Sequence, residues 1–450
     1  MDATTLSNLT SFLLFHLGWV ALATLAALHL LLTWRLRRPR IYLLDSACYK
    51  PDSRLRVPFS LFEERARAFN CYHPSNIDFQ MKILRKSGLG QETSFPPAIL
   101  RIPPDPTLAT SREEAESVIF APVASLFARA RIDPSEIDVV VANCSVFCPT
   151  PSLADMIVRR FGMRDDVRCY NLSGMGCSAG VISVGLARDH LRVHADQRAL
   201  VVSTEILGEN VYLGNQPSML VSNCLFRMGG SAIILSNRES DRSGAKYELL
   251  HVVRTHDGAR DKSYRCVCVE EDEEGILGIN LSKDLLSAAP SALRANIVKI
   301  APLILPLSEK LRFLWNRLLA RRLKSNSSYV PDFTRAADHF CIHTGGRAVI
   351  EELQRKLGLS EEHVEASKMT LHRFGNTSSS SVWYVLGYVE AKGRVKRGDK
   401  VWQIGLGSGF KCNSAVWRCV RDVEAAEDGA WSECIHRYPV SLPLYKEQSN

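Results

Sequence analysis

The chain has 450 residues, of which 46% are hydrophobic and 23% charged, and its formal net charge is +8. This length accommodates two domains or one large duplicated domain, and the composition is that of a globular protein. The charge is modest and no run interleaves basic with aromatic residues, so nucleic acid is not an expected partner. A mild positive excess suits a protein that works beside anionic lipid or on an anionic cofactor.

Thirteen cysteines are scattered along the chain, many of them inside apolar, strand-like runs. An odd and scattered set is typical of reduced thiols rather than of a disulfide framework. Cys144 with Cys148, and Cys266 with Cys268, have spacings that resemble half of a zinc site. Neither has a matching second pair, so core cysteines are the favoured interpretation and no metal site is predicted.

An almost unbroken hydrophobic stretch covers residues 12–32 and is long enough for one membrane-spanning helix. Trp34 suits the membrane interface, four arginines follow it, and the preceding residues carry no Lys or Arg. The positive-inside rule therefore places the chain after Arg35 in the cytosol. A cleaved signal peptide fits less well, because the stretch is too long and its basic residues lie on the wrong side. We predict a membrane anchor over residues 1–40.

Residues 41–110 are predicted to form an amino-terminal extension and linker. A short strand begins at Ile41, and helical, charged sequence follows over residues 60–86 with an interruption at Pro74. Five prolines between residues 96 and 106 indicate an extended linker.

From residue 111 onwards, strand-like and helix-like segments alternate in the rhythm of a layered α/β fold. The first helix is predicted over residues 111–131, with Pro122 kinking or splitting it. The rhythm occurs twice, over residues 111–245 and 246–425, and residues 426–450 form a tail. Further strands are predicted at residues 139–142, 167–171, 199–203, 228–235, 248–255, 339–343, 368–371 and 400–406, and helices at 153–160, 177–194 and 378–390.

Residues 287–322 interrupt the second half with a different kind of sequence. An apolar run broken by Pro302 and Pro306 is followed by leucines, Phe313 and Trp315 interleaved with basic residues. An ordinary packed helix with a solvated basic face and a basic amphipathic helix on a membrane surface both remain open. The predicted anchor favours the membrane interpretation.

A single cysteine stands in a glycine-rich turn between a predicted strand and a predicted helix, in the sequence NLSGMGCSAG. At the amino end of a helix, free N–H groups and the helix dipole favour thiolate, so Cys177 is a candidate nucleophile. Gly174, Gly176 and Gly180 are expected to leave room for a substrate to approach the sulfur. A buried structural cysteine beside a tight turn is an equally open interpretation.

Candidate partners for this cysteine lie in the second half. His343 follows a predicted strand that ends in glycines, His372 ends another predicted strand, and Asn376 precedes a serine run that opens a helix. A single histidine is more often structural than catalytic, but two at strand ends with an asparagine favour a site. The sequence GLGSGF at residues 405–410 lacks the spacing of a phosphate loop. It better fits a turn whose N–H groups stabilise an oxyanion.

A resemblance to a known family is carried by three stretches: NLSGMGCSAG around Cys177, HFCIH ending at His343, and TLHRFGNTSSSS around Asn376. Together they look like the plant 3-ketoacyl-CoA synthases, the membrane-bound condensing enzymes of very-long-chain fatty acid elongation, which belong to the thiolase-like superfamily. Further matches are Tyr42–Pro51, Asn223–Gly230, and a stretch from Arg254 to Cys266. The resemblance covers nearly everything after the anchor.

The resemblance implies a thiolase-like α/β fold of two similar βαβαβαββ halves with the active site between them, here after a transmembrane helix. It implies a catalytic triad of Cys177, His343 and Asn376. It also implies supporting roles for three further histidines, which are His256, His339 and His372.

Two departures from the family pattern stand out. Arg260 occupies a position that usually carries an acid beside Asp261, which could alter a surface pairing near His256. Many members show two amino-terminal spans, whereas this chain shows one. A single span leaves the catalytic part cytosolic and predicts a lumenal amino terminus.

The implied reaction joins a long-chain acyl-CoA to malonyl-CoA through an acyl-cysteine, with loss of carbon dioxide. Backbone N–H groups of Cys177 and Gly407 are expected to stabilise the tetrahedral oxyanion. No metal and no cofactor are expected, since coenzyme A enters only as substrate thioesters. Expected partners are membrane lipid, a second copy of the chain, and the reductases and dehydratase of an elongase at the endoplasmic reticulum.

Two alternatives accompany this interpretation. A soluble polyketide-type synthase also combines cysteine, histidine and asparagine, but the predicted span and the elongation-type motifs argue against it. A non-catalytic partner subunit of another elongase is the alternative from a different class, and the intact triad argues against it. We also hypothesise that residues 287–322 cover an acyl-chain tunnel near the bilayer.

Overall fold

The computed structural model describes residues 15–28, 39–322 and 329–442. Residues 15–28 form a helix, α1, whose side chains are all exposed. In the described ranges we find no helix with both the length and the apolar character needed to cross a membrane. The predicted span is only partly covered, because residues 12–14 and 29–32 lie outside the described ranges.

Nine strands form one mixed sheet within the described part of the chain, in the order β3-β2-β4-β5-β1-β6-β11-β10-β9, and β7 and β8 form a separate hairpin. The strands are β1 (Tyr42–Cys48), β2 (Val139–Asn143), β3 (Arg168–Leu172), β4 (Arg198–Glu205), β5 (Gly229–Ser236), β6 (Tyr247–His256), β7 (Val267–Glu271), β8 (Leu277–Leu281), β9 (His339–Ile342), β10 (Lys400–Gly407) and β11 (Lys411–Cys419).

Helices connect the strands and cover both faces of the sheet. After α1 they are α2 (Phe59–Ala68), α3 (Pro74–Lys86), α4 (Pro97–Leu100), α5 (Leu108–Ala130), α6 (Leu153–Phe161), α7 (Ala179–Val193), α8 (Pro217–Leu225), α9 (Asp261–Arg265), α10 (Leu285–Ile304), α11 (Leu307–Arg322), α12 (Arg347–Leu357), α13 (Glu361–Phe374) and α14 (Ser381–Ala391). Pro122 lies inside α5 without splitting it.

The sheet repeats one pairing pattern in two halves. In the first, β2 is parallel to β3 and β4, β4 is antiparallel to β5, and β5 is antiparallel to β1. In the second, β10 is parallel to β9 and antiparallel to β11, and β11 is antiparallel to β6. A short antiparallel contact between β1 and β6 joins the halves. The predicted layered α/β fold with two similar halves is therefore confirmed.

The helices α7 and α14 lie between the two half-sheets. Alternate residues of β2 face opposite sides: Val139 and Val141 pack in the cluster that contains α7 and α14, whereas Val140 and Ala142 pack with α5 and α6. The other side of the second half-sheet packs against α10 and α12. The helix α14 and the first half of α7 are almost entirely apolar, and such a helix surface must be buried, which explains their central position.

One predicted strand is wrong. Residues 368–371 lie inside α13, which occupies the position where the second half would carry its third strand. Val364, Leu371 and Phe374 are buried at helical spacing, and Ser360 and His363 form a capping box at the start of the helix. A four-residue apolar run is too short to distinguish a strand from a turn of helix.

The segment 287–322 contains two helices of different character. In α10, Ala292, Leu293 and Ile300 are buried in the core of the second half, so this part is an ordinary packed helix. In α11 the leucines are exposed. The packed-helix interpretation is therefore correct for α10, and the membrane interpretation stays open for α11.

Candidate active site

Cys177 lies in the turn between β3 and α7, two residues before the helix begins. Its side chain lines a cavity of about 440 Å³ that also receives side chains from the second half. The strand-to-helix placement predicted for Cys177 is confirmed. The cavity wall brings it together with His343, Asn376, His256 and the backbone of Gly407.

The glycines of the turn allow two backbone segments to meet. A side chain at Gly176, where φ is +67°, would come within 2.4 Å of the Ser408 nitrogen, and one at Gly407 within 2.7 Å of the Ser178 nitrogen. A side chain at Gly180 would meet the Ser379 oxygen at 2.3 Å. The expectation that these glycines open a path to the sulfur is thus wrong for Gly180 and incomplete for Gly176. Gly176 and Gly407 let the turn around Cys177 pack against residues 407–408, and Gly180 lets α7 approach the backbone of Ser379.

The surroundings of Cys177 disfavour its thiolate. Burial, with a smaller contribution from the charge of Glu205, raises the pKa of Cys177 to about 12, although hydrogen bonds from Ser378 and from the backbone of Cys177 act in the opposite direction. Loss of hydration is the largest of these causes. Burial thus opposes the thiolate that the sequence predicts, which leaves a role for a base.

His343 is the candidate base for Cys177. It follows β9, is 3% exposed, and its backbone N–H donates to the carbonyl of Ile404 at 2.9 Å. Its Nδ1 lies 2.6 Å from the hydroxyl of Ser381 on α14. Burial lowers the pKa of His343 to about 4, so the imidazole is neutral near pH 7.

Asn376 reaches the cavity from the loop between α13 and α14. Its Oδ1 accepts a hydrogen bond from the backbone N–H of Ser378 at 2.9 Å. Its backbone bonds Leu225 and Arg227 of the first half, at 3.1 Å and 2.9 Å. Because the carboxamide oxygen is engaged, the NH₂ group is the end that can donate to a substrate.

The other predicted histidines occupy different places. His256 lines the cavity from the end of β6, and its Nδ1 accepts from the N–H of Gly258 at 3.0 Å. Burial, Lys411 and Arg254 lower the pKa of His256. Arg260, which departs from the family pattern, forms a surface ion pair with Asp257, the residue after His256 in the chain.

His339 and His372 are not among the residues that line the cavity. Nε2 of His339 lies 2.9 Å from the carboxylate of Asp399, and the four residues to His343 correspond to about 13 Å of strand. His372 lies near the end of α13, where its ring meets Tyr438, with 3.3 Å between Nδ1 and the hydroxyl. The structure therefore does not bring these two predicted supporting residues to the site.

Sequence reasoning missed Glu205, which ends β4 and lines the cavity. It is 5% exposed and accepts hydrogen bonds from the N–H groups of Ser145 and Val146 at 2.8 and 3.0 Å, and from the Ser378 hydroxyl at 2.7 Å. Ser378 has a φ of +53°, which is unusual for serine. Glu205 thus links the first half to the loop that carries Asn376. The sequence signal that could have identified Glu205 is an acidic residue at the end of an apolar strand.

We expect Glu205→Gln to make Cys177 more reactive toward alkylation. The substitution removes a negative charge that raises the pKa of Cys177, so more thiolate is present at any pH below that pKa. Iodoacetamide labelling of the Cys177 peptide, followed by mass spectrometry, should accelerate by up to about tenfold, which corresponds to one pKa unit.

The control is Glu114→Gln, the same isosteric change at a buried acid whose pKa burial raises to about 8, so that little negative charge is lost at neutral pH. Glu114 is 3% exposed and accepts from the N–H groups of Leu207 and Gly208, but it does not line the cavity. Its substitution should leave the labelling rate of Cys177 unchanged. Equal labelling in wild type and Glu205→Gln would contradict the electrostatic role.

The cavity extends away from Cys177 between apolar walls. Elements before residue 110 form one wall, including Phe62 of α2 and Ile99 of α4, and the β7–β8 hairpin forms another, with Val269 and Ile279. No described residue of α11 lines it. No described residue of 287–322 lines the cavity, so the structure does not support the hypothesis that this segment covers the tunnel.

Comparison with known proteins identifies the family. Residues 33–323 match the model described as FAE1/type III polyketide synthase-like protein, and residues 334–419 match the C-terminal model of 3-oxoacyl-[acyl-carrier-protein] synthase III. The chain is 58% identical over 409 residues to 3-ketoacyl-CoA synthase 5 of Arabidopsis thaliana, covering 90% of this chain and 83% of that protein. It is 54% identical over 439 residues to 3-ketoacyl-CoA synthase 6 of the same plant, covering 97% and 88%. The chain belongs to the 3-ketoacyl-CoA synthases.

Solved structures show the fold of this synthase independently. A mutant of CsyB superposes with a TM-score of 0.67 at 20% identity, covering 84% of this chain and all of that one. The fungal type III polyketide synthase ORAS gives 0.65 at 20% identity, covering 84% and 99%. The predicted family and the thiolase-like fold are confirmed.

Proposed function

We propose that this synthase condenses a long-chain acyl-CoA with malonyl-CoA and releases a 3-ketoacyl-CoA two carbons longer. The observation that carries the proposal is the convergence of Cys177, His343 and Asn376 on one apolar-walled cavity. The names of the curated relatives support it. The three groups act in two half-reactions that meet at Cys177.

The first half-reaction acylates the cysteine. The proton of the Cys177 thiol passes to Nε2 of His343 as the sulfur attacks the thioester carbonyl, and the N–H groups of Cys177 and Gly407 stabilise the resulting oxyanion. The bond between carbonyl carbon and coenzyme A sulfur then breaks, and coenzyme A leaves with the proton from the imidazolium.

The second half-reaction uses the same imidazole in its other tautomer. Loss of carbon dioxide from malonyl-CoA leaves an enolate, whose oxygen accepts hydrogen bonds from Nε2–H of His343 and from the NH₂ of Asn376. The carbanion attacks the acyl thioester, the new carbon–carbon bond forms, and Cys177 leaves as thiolate and recovers a proton from solvent. The Ser381 hydroxyl accepts from Nδ1–H of His343 in the first half-reaction and donates to Nδ1 in the second.

The neutral state of the His343 imidazole leads to a prediction about the pH dependence of acylation. Because the pKa of His343 is about 4, its protonation does not limit acylation at pH 6, whereas an ordinary histidine would be largely protonated there. Single-turnover acylation should therefore be level between pH 6 and 8. A loss of wild-type acylation rate centred near pH 6.5 would contradict the assignment.

We place the enzyme at the endoplasmic reticulum, with residues 1–40 as a single-pass anchor and the remainder in the cytosol. The hydrophobic stretch at 12–32, the arginines after it and the exposed helix α1 support this. A homodimer, and association with the reductases and dehydratase of an elongase, complete the proposal and rest on the family resemblance. No cofactor beyond the substrate thioesters is proposed.

The test uses microsomes that contain the full chain, supplied with labelled malonyl-CoA and acyl-CoA primers of increasing length. We expect labelled 3-ketoacyl products from the wild type and none from Cys177→Ala. The matched control is Cys169→Ala, which alters an exposed cysteine outside the cavity. Absence of product with every primer, from well-expressed protein, would instead support a non-catalytic partner subunit.

A further inference from the structure

The helix α11 carries an apolar stripe that faces away from the protein. Leu307 begins it, and apolar residues follow four, seven, eight and eleven positions later, which places all five on one side of the helix. Their exposed fractions lie between 50% and 69%. The five are Leu307, Leu311, Leu314, Trp315 and Leu318.

The opposite side of α11 is attached to the protein through Glu309. This residue is fully buried and accepts hydrogen bonds from the Tyr329 hydroxyl at 2.6 Å, from the N–H of Asp332 at 3.1 Å and from Arg335 at 2.9 Å. At roughly 100° per residue, Glu309 lies about 180° around the helix from the centre of the stripe. The orientation of α11 is therefore set by this attachment, and the stripe faces outward.

Basic residues border the stripe. On the helical wheel Lys310 and Arg317 lie along one edge, whereas Arg312, beyond Trp315, pairs with Glu309 at 3.4 Å. Glu309 is the acid of α11, and it faces inward. A stripe of leucines with a tryptophan and a basic border complements an anionic bilayer surface, where leucines enter the acyl region and basic groups meet phosphates.

Contact with the active site does not account for this surface. Scattered exposed leucines are normal, but a contiguous stripe on a helix that Glu309 holds in a fixed orientation marks an interaction face. The described residues of α11 do not line the cavity. A protein partner would also cover leucines, but Lys310 and Arg317 beside the stripe favour anionic lipid.

We propose that α11 lies in the bilayer interface and forms a second membrane contact, separate from the anchor predicted for residues 1–40. The leucines of the stripe enter the lipid, and Lys310 and Arg317 contact headgroup phosphates. This contact fixes how the catalytic body is oriented against the membrane. It does not depend on the condensation chemistry proposed above.

The test is photolabelling of the full chain in liposomes that contain a phospholipid with a diazirine on its acyl chain. We expect lipid adducts on peptides from residues 307–319. The triple variant Leu311→Glu, Leu314→Glu, Leu318→Glu should lose them about tenfold or more, while adducts near the amino terminus persist. The matched control is Val193→Glu, which alters a residue that is 78% exposed at the end of α7.

A second variant separates charge from apolar contact. Lys310→Glu with Arg317→Glu should reduce adducts on α11 more strongly in vesicles containing phosphatidylserine than in pure phosphatidylcholine. Wild-type adducts at background level on α11, or unchanged adducts in the triple variant, would overturn the proposal. So would cross-links from α11 to protein in place of lipid. Condensation measured in the same preparations confirms folding and keeps this test apart from that of the enzyme function.

Discussion

Replacing His343 with alanine is expected to abolish both half-reactions. The pKa of Cys177 is about 12, so almost no thiolate exists at neutral pH without a base, and acylation should fall about 10²–10⁴-fold. Decarboxylation of malonyl-CoA should fall as well, because the enolate loses one of its two donors. Single-turnover acyl transfer to Cys177 and release of labelled carbon dioxide measure the two losses separately.

The variant His343→Gln distinguishes the two roles of the imidazole. A glutamine amide can donate to the enolate but cannot accept the thiol proton at neutral pH. We therefore expect partial recovery of decarboxylation relative to His343→Ala and no recovery of acylation. His372→Ala is the matched control, since this histidine does not line the cavity, and it should leave both half-reactions near wild type. Recovery of acylation in His343→Gln would exclude the base role.

Asn376→Ala is expected to impair one half-reaction only. Removing a donor to a developing oxyanion typically costs about 10²–10³-fold in rate, so decarboxylation should fall by that amount. Acylation of Cys177 should stay near wild type, because its oxyanion is stabilised by backbone N–H groups. The same two assays compare the variant with the wild type.

The matched control lies next to Asn376 in the chain. Thr377→Val keeps the size of a buried side chain whose hydroxyl has no hydrogen-bond partner among the described residues. It should leave both half-reactions unchanged, which separates loss of the donor from disturbance of the loop. Equal losses of acylation and decarboxylation in Asn376→Ala would contradict the division of roles.

Local pattern was sufficient for much of the fold. The apolar runs of β2 and β4, the apolar first half of α7 and the helix α14 are recognisable because burial leaves a pattern of apolar residues in the chain. The third strand expected in the second half was wrong, since four apolar residues fit either a strand or one helical turn. The strand β11 and the β7–β8 hairpin were not predicted. These three strands take their conformation from strand pairing: β11 pairs with β10 and β6, and β7 pairs with β8.

The sequence by itself identified the family, the nucleophile turn around Cys177 and the residues His343 and Asn376, because these depend on short motifs. Only the tertiary structure decided their chemistry. The convergence of side chains from two halves, and the burial that raises the pKa of Cys177 and lowers that of His343, depend on packing between distant segments. Packing between distant segments also explains why Glu205 lines the cavity whereas His339 and His372 do not. Motifs are local in the chain, whereas desolvation and hydrogen bonding depend on three-dimensional neighbours.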